Sequence, residues 1–361
     1  MLDWERSQDR SQSAMKLSTK RVTIVDVASK SGVSKSTVSR VLRGDGDVSE
    51  GVRLKVMRAA KRMNYQPSVF ARSLRSQRSH AIGLIIPDIA NPFFPEVVRG
   101  IQNTADERGY TVLLANSDWH VERERKYLDF ARRYHLDGII INPVSISPAE
   151  LKNSGCPVVV IGSRAAYGVF DTVASDTQGG IACAVDHLRA QGHRDIALIA
   201  GPAGNPGATV RARAYRETIA AHGLTPRDER ILWFDFTREG GQAASRALAA
   251  LAPRPTAVVC GNDLIAIGIL AGLREASLDV PRDMSVIGID DIDAAAMTFP
   301  PLTSVSKDKT RLGVRAAALL IDRIEGKMPD SPARERLGTT LIERSSVAPP
   351  RTEDKRVIVR P

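Results

Sequence analysis

The sequence predicts a small all-α domain followed by a larger α/β region of two lobes, each built on a parallel, Rossmann-like sheet. Three observations predict it. Residues 22 to 65 carry three short segments of helical period and no strand signal. From residue 81 onward, short β-branched runs alternate with stretches of helical period, the pattern of a parallel sheet covered by helices on both faces. This second region spans roughly 270 residues, large for one doubly wound sheet, and so divides into two lobes.

Residues 1–20 are rich in Ser, Gln and charge, and read as a disordered leader. They lack the apolar core of a secretory signal, and no apolar run approaches the roughly 20 residues of a membrane helix. The expected location is therefore the cytoplasm, with no membrane partner.

The helical domain occupies residues 21–66. Thr23 stands before the first periodic run with Asp26 three residues on, a capping box with Asp in the usual place of Glu. Ile24, Val27 and Ala28 share one face, and Gly32 stops the helix. Ser34 can cap a second helix whose Val38, Val41 and Leu42 face inward. Its polar residues are Lys35, Ser36, Thr37, Ser39 and Arg40. A third helix begins at Ser49, buries Val52, Val56, Ala59 and Met63, and carries Arg53, Lys55, Arg58 and Arg62 outside. Two short helices at this spacing fit a helix-turn-helix, and they also fit a plain three-helix bundle.

Charge favours the first. The chain has a formal net charge of +10, and residues 1 to 80 hold 17 basic and 7 acidic residues, so the remainder is neutral. Excess positive charge confined to one small segment points to a polyanion, nucleic acid first. Lys35, Ser36 and Arg40 lie on the exposed first turns of the second helix. A recognition helix reads bases in the major groove with such residues.

Residues 67–79 are basic and Ser-rich and read as a linker. Residues 80–350 follow as the α/β region, with lobe 1 at about 80–176 plus 306–328, lobe 2 at about 177–305 plus 329–350, and a tail at 351–361. The buried strands expected are AIGLII (81–86), TVLLA (111–115), GIIIN (138–142), PVVVIG (157–162), IALIAG (196–201), AVVCG (257–261) and SVIGI (285–289). In parallel folds ligands bind beyond the carboxyl ends of strands. Five such ends carry polar or aromatic residues: Asp88 to Phe94, Gly162-Ser163-Arg164, Ser175-Asp176, Asn262-Asp263 and Asp290-Asp291. Each alone suits a turn or cap; together they favour a ligand cleft. The loop GPAGNPG (201–207) lacks the Lys-Ser/Thr of a phosphate loop and reads as a turn. Cys156, Cys183 and Cys260 are far apart and show no metal spacing, so no zinc site, disulfide or other cofactor is expected.

The stretches VTIVDVASKSGVSKSTVSRVL (22–42), VSEGVRLKVMRAAKRMNYQPS (48–68) and FARSLRSQRSHAIGLIIPDIANPFF (70–94) resemble the lactose-repressor/galactose-repressor family of bacterial regulators, and the resemblance runs from about residue 22 to 350. It implies a periplasmic-binding-protein-like sensing and dimerisation domain. Lys35, Ser36 and Arg40 would read bases, with Thr37 and Ser39 on phosphates. Residues 68–76 would form a hinge helix that folds on operator DNA, with Leu74 as a minor-groove wedge and Ala71 on the same face. A linker residue packed on the core is the other reading of Leu74. The resemblance further assigns Phe93, Phe94, Arg211, Phe236, Asn262 and Asp290 to the effector pocket. Ala214 stands where Gly is usual after RARAY begins. Where many members have Asp after the PVVVI strand, this chain has Gly162-Ser163-Arg164. An Arg clamp, an Asp acceptor and an aromatic face suit a sugar or a base-like metabolite; with Arg164 near and a carboxylate missing, one that carries a negative charge is expected, such as a sugar acid or sugar phosphate.

The reading is thus an effector-controlled DNA-binding regulator, most simply a repressor, acting as a homodimer on a pseudo-palindromic operator, with a tetramer left open. A sugar-binding transport protein is disfavoured by the missing signal peptide and the basic head. An enzyme is disfavoured because no His lies in ligand spacing and no Ser/His/Asp or Cys/His arrangement is evident, so no catalytic residue is assigned; Asp290, Asp291 and Asp293 are the only acidic cluster that suggests one.

Overall fold

The computed structural model describes residues 22–44, 46, 48–65, 78–162 and 165–351. The chain divides into two compact units, Met1–Ser79 and His80–Pro361.

In the first unit, α1 (Ile24–Ser31) begins at the Thr23 capping box, where Asp26 Oδ2 accepts from both the backbone N and the hydroxyl of Thr23 at 2.8 Å. Gly32, at φ 68°, closes the helix in the left-handed conformation that costs glycine little. Ser34 caps α2 (Lys35–Arg43) by accepting from Thr37 N at 3.1 Å, and α3 (Glu50–Arg62) follows. Val27, Ala28, Val38, Val41, Val56, Ala59 and Ala60 are buried together, with Ile24, Leu42, Val52 and Met63 packed around them. One apolar stripe from each helix thus makes the core, as amphipathic periodicity requires.

The second unit holds two six-stranded sheets among the described residues. The first is formed by β1 (Ala81–Ile86), β2 (Thr111–Asn116), β3 (Gly138–Ile141), β4 (Val158–Ile161), β5 (Asp171–Ser175) and β11 (Arg334–Leu337), in the order β11-β5-β4-β3-β1-β2. The second contains β6 (Ile196–Ile199), β7 (Ile231–Leu232), β8 (Ala257–Cys260), β9 (Ser285–Asp290), β10 (Thr303–Ser306) and β12 (Thr340–Ile342), in the order β12-β10-β9-β8-β6-β7. All pairings are parallel except β10 with β12.

Helices cover both faces of each sheet, so β1, β3, β4, β6 and β8 are apolar throughout. On one face of the first sheet, Val97 and Ile101 of α4 (Phe93–Glu107) pack with Leu312, Ala316 and Leu320 of α12 (Lys309–Ile324). Leu128 and Ala131 of α5 (Val121–Arg133) and Leu151 of α6 (Pro148–Lys152) close the other face. In the second lobe, α7 (Thr177–Ala190) and α8 (Pro206–Ala221) cover one face, and α9 (Arg238–Ala250) with α10 (Asp263–Glu275) the other. The short α11 (Asp293–Met297) precedes β10.

Two expectations need correction. The return to the second lobe does not fall near residue 329. β11 runs parallel to β5, pairing Arg334 with Thr172 and Leu337 with Ser175, so residues 334–337 belong to the first sheet and the crossing lies at Gly338-Thr339. The edge position explains why RERL carries no apolar signal: one side faces solvent. For the same reason TVLLA is not a buried strand. As the opposite edge, β2 leaves Leu113 and Leu114 exposed.

Candidate functional site

On α2, Lys35, Ser36 and Arg40 are exposed, while Thr37 and Ser39 are half-buried. The Ser34 hydroxyl lies 2.7 Å from that of Ser36 and 2.8 Å from that of Thr37, so the cap fixes the first turn. Lys35 and Arg40 make no ion pair among the described residues, which leaves both cations for a phosphate or a base edge. Ala71 and Leu74 lie outside the described residues.

A cavity of about 180 Å³ opens between the two lobes of the second unit, at the carboxyl ends of strands from both sheets. The first lobe contributes Asn91, Phe93 and Phe94 after β1, Trp119 after β2, Asn142 after β3, Gly162 after β4 and Ser175 at the end of β5. The second contributes Asn205 and Arg211 after β6, Phe236 after β7, Asn262 after β8, Asp290 at the end of β9 and Lys307 after β10. Six of the seven expected effector residues therefore line one space; Arg164 lies outside the described residues.

Their local roles differ. Asn91 Oδ1 accepts from Phe93 N, which turns the chain so that Phe93 meets Phe94 edge to face at 5.1 Å. Phe94 is mostly core, and Phe93 presents the freer ring. Asn205 caps α8, accepting from Gly207 N and Ala208 N, so GPAGNPG is a turn leading into a helix. A Cβ on Gly201 would stand 2.2 Å from the Phe236 ring, so this loop needs glycine to admit the aromatic. Asn262 caps α10 through Ile265 N and donates to the Phe236 carbonyl at 3.2 Å, which spends its amide on holding the loop that carries Phe236. Trp119 and Phe236 face each other from the two lobes at 6.1 Å.

Charge is concentrated on three side chains. Asp290 accepts an ion pair from Lys307 at 2.9 Å, with both groups buried. Lys307 also lies 5.5 Å from the Phe93 ring centre, and Arg211 5.0 Å from that of Phe236. Arg211 Nε is buried without a hydrogen-bond partner. Burial lowers the pKa of both cations, opposed in each case by the charge of Asp290.

Behind this layer Asp263 is buried. Its carboxylate accepts from Ser304 Oγ at 2.6 Å and Ile292 N at 2.8 Å. Burial and the neighbouring Asp290 raise it from 3.8 to about 7. Lys309, on the first lobe, donates to the carbonyls of Asp290 and Asp291 at 2.9 and 2.6 Å and pairs with Glu96 at 3.4 Å, tying the lobes beside the cavity. Asp291 pairs with Arg344 at 2.7 Å. The acidic cluster is thus held by salt bridges and backbone. Among the described residues no group of three or more His, Cys, Asp or Glu is arranged to hold a metal ion. The three cysteines are free; Cys260 is buried and the other two half-buried.

Sequence reasoning missed Lys307, Trp119, Asn142 and Asn205. Lys307 follows a strand, TSVS, too polar to stand out as one, although its position at a strand end was the available signal. Trp119 sits in a left-handed turn, at φ 59°, that no motif marks.

A helix-turn-helix unit joined to a two-lobed domain with a polar, aromatic-walled cleft defines a ligand-responsive DNA-binding regulator. Residues 23–68 match the model for bacterial regulatory proteins of the lacI family, and residues 185–347 that for a periplasmic binding protein-like domain. The chain is 36% identical over 328 residues to the ribose operon repressor of Escherichia coli (strain K12), covering 90% of this chain and 99% of that one. Its fold is similar to the lac repressor dimer bound to operator and the anti-inducer ONPF, at TM-score 0.83 and 26% identity, covering 91% and 100% of the two chains. It is also similar to a LacI family transcriptional regulator from Enterococcus faecium with bound ribose, at TM-score 0.67 and 32% identity, covering 74% and 99%. The chain belongs to the lacI family of bacterial regulatory proteins, and is a DNA-binding transcriptional repressor controlled by an effector.

Proposed function

We propose that this repressor binds a pseudo-palindromic operator as a homodimer and that a small polar metabolite of the sugar class, held between its lobes, sets operator affinity. The observation that carries the reading is the cavity itself, where aromatic faces and three charged side chains from both lobes converge at strand ends. The ribose-bound neighbour and the ribose operon repressor support a sugar-like effector. Binding rather than turnover is supported by the relatives, which are repressors.

Lys35, Ser36 and Arg40 read bases, and Thr37 and Ser39 meet phosphate. The dimer of the lac repressor on its operator supports a twofold assembly here. Exposed Leu113 and Leu114 on the β2 edge, with Phe130 of α5 and Tyr134 just after it, supply an apolar surface for it. Operator DNA places the protein's action in the cytoplasm. Effector binding changes lobe closure, and closure alters the spacing of the two DNA-binding units.

The test is operator affinity at fixed salt, using the protein's own upstream region, with and without sugars, sugar acids and nucleobases. A coupling of about 1–3 kcal/mol shifts affinity about 5–150-fold for one compound class. Binding without preference over random DNA, or insensitivity to every compound that binds the cleft, would reject the reading.

A further inference from the structure

Resting on the reading of the cleft as the effector site, we propose that the effector is a small monoanion, a hydroxylated carboxylate of the sugar-acid class, whose charge is taken by Arg211 and Lys307 together.

Among the described residues lining the cavity, the charged side chains are Arg211, Lys307 and Asp290. Asp290 neutralises one cation and is already engaged by Lys307 at 2.9 Å. Arg211 is left over, its Nε buried without a partner. A half-buried cation with a buried donor left unpaired carries a cost that pairing with an anion offsets. Asp263 does not close the account. It stands behind the lining, held by Ser304 Oγ and Ile292 N, and burial favours its neutral form. The remaining acids nearby are paired outward, Asp291 with Arg344 and Glu96 with Lys309.

Both cations line the cavity with an aromatic neighbour, Arg211 against Phe236 and Lys307 against Phe93. Asn142 and Ser175 also line the cavity and are neutral side chains of the kind that bond sugar hydroxyls. The volume, about 180 Å³, corresponds to about six waters at roughly 30 Å³ each, which suits one small polar molecule. A net charge of one matches a carboxylate better than a phosphate dianion. Lys307 lies where the chain passes from β10 into α12, between the two lobes. An anion that draws Lys307 from Asp290 therefore acts directly on a crossing segment.

The experiment is calorimetry on the full chain with gluconate, galactonate and ribonate, the neutral glucose, galactose and ribose, and glucose 6-phosphate and ribose 5-phosphate. Operator affinity is measured on the same samples. At least one sugar acid should bind about 100-fold more tightly than its neutral counterpart, the scale of losing charge-assisted bonds. In Lys307→Gln that preference should fall at least about tenfold, with Lys307→Arg restoring most of it. A neutral sugar binding as tightly as its acid, a phosphate ester outcompeting every carboxylate, or no acid binding at all would overturn the proposal. A neutral sugar that shifts operator affinity would do so while leaving the effector reading intact. A compound that fills the cleft without changing operator affinity would sink the effector reading instead.

Discussion

Asp263 shows how a single residue can set the stability of the second lobe. Its raised pKa means the folded state holds a proton across the window from 3.8 to about 7 that the unfolded state has lost. An acid shifted upward gives its full stabilisation below the lower value and loses it as pH rises through the upper one. Asn can replace it, accepting from Ile292 N and donating to Ser304 Oγ. Asp263→Asn should therefore raise stability at pH 8 by about 1–3 kcal/mol and flatten the fall of the melting temperature between pH 4 and 7. A variant with the parent's pH profile would show that another group titrates there. Arg211 acts at the same scale. Arg211→Ala should weaken effector binding by at least about tenfold, since it deletes the cavity's unpaired donors; calorimetry with the parent's effector checks it.

Elements in this chain are placed by their closest approaches. A Cβ on Gly313 of α12 would lie 2.1 Å from the Val97 carbonyl oxygen of α4, and one on Gly100 of α4 would lie 2.3 Å from the Thr310 carbonyl oxygen. Backbone cannot swing aside as a flexible side chain can, so Gly313→Ala should push the helices apart and cost about 1–3 kcal/mol in urea unfolding. Gly51, exposed near the start of α3 with nothing within 4 Å of its Cβ position, is the converse. Gly51→Ala should stabilise by about 0.5–1 kcal/mol. On α2, Arg40→Ala should reduce specific operator binding by about 1–3 kcal/mol and relax discrimination at one base position. Unchanged affinity for operator and random DNA alike would move the base-reading role elsewhere on the unit.

For the whole molecule, the proposed function rests on twofold assembly and on communication between lobes. Leu114→Asp places a charge on the exposed apolar edge of β2, in a groove of about 330 Å³ lined by Leu113, Leu114, Tyr127 and Phe130. Sedimentation should show loss of the dimer, and operator affinity should fall with it because both half-sites no longer bind as one unit. A dimer unaffected by the change would place the interface on another face; Met297 and Phe299 are the most exposed large apolar residues among those described.

The sequence by itself determined the local features. Thr23 and Asp26, Ser34, and Gly32 mark helix ends through short-range hydrogen bonds and backbone freedom that need no tertiary partner. The apolar runs at 81–86, 138–142 and 257–261 mark central strands because burial on both faces leaves no polar position. Phe93, Arg211, Phe236, Asn262 and Asp290 were legible through family motifs and strand ends. The tertiary structure decided what depends on neighbours distant in sequence. RERL is a strand only because β5 lies beside it, TVLLA is exposed only because it falls at an edge, and neither fact is encoded in its own pattern. Lys307 joins the cleft because β10 delivers it opposite Asp290, and Arg211 makes no ion pair among the described residues because that carboxylate is already taken. Charge pairing across a cavity is a property of where strands end in space, and only the folded chain brings those ends together.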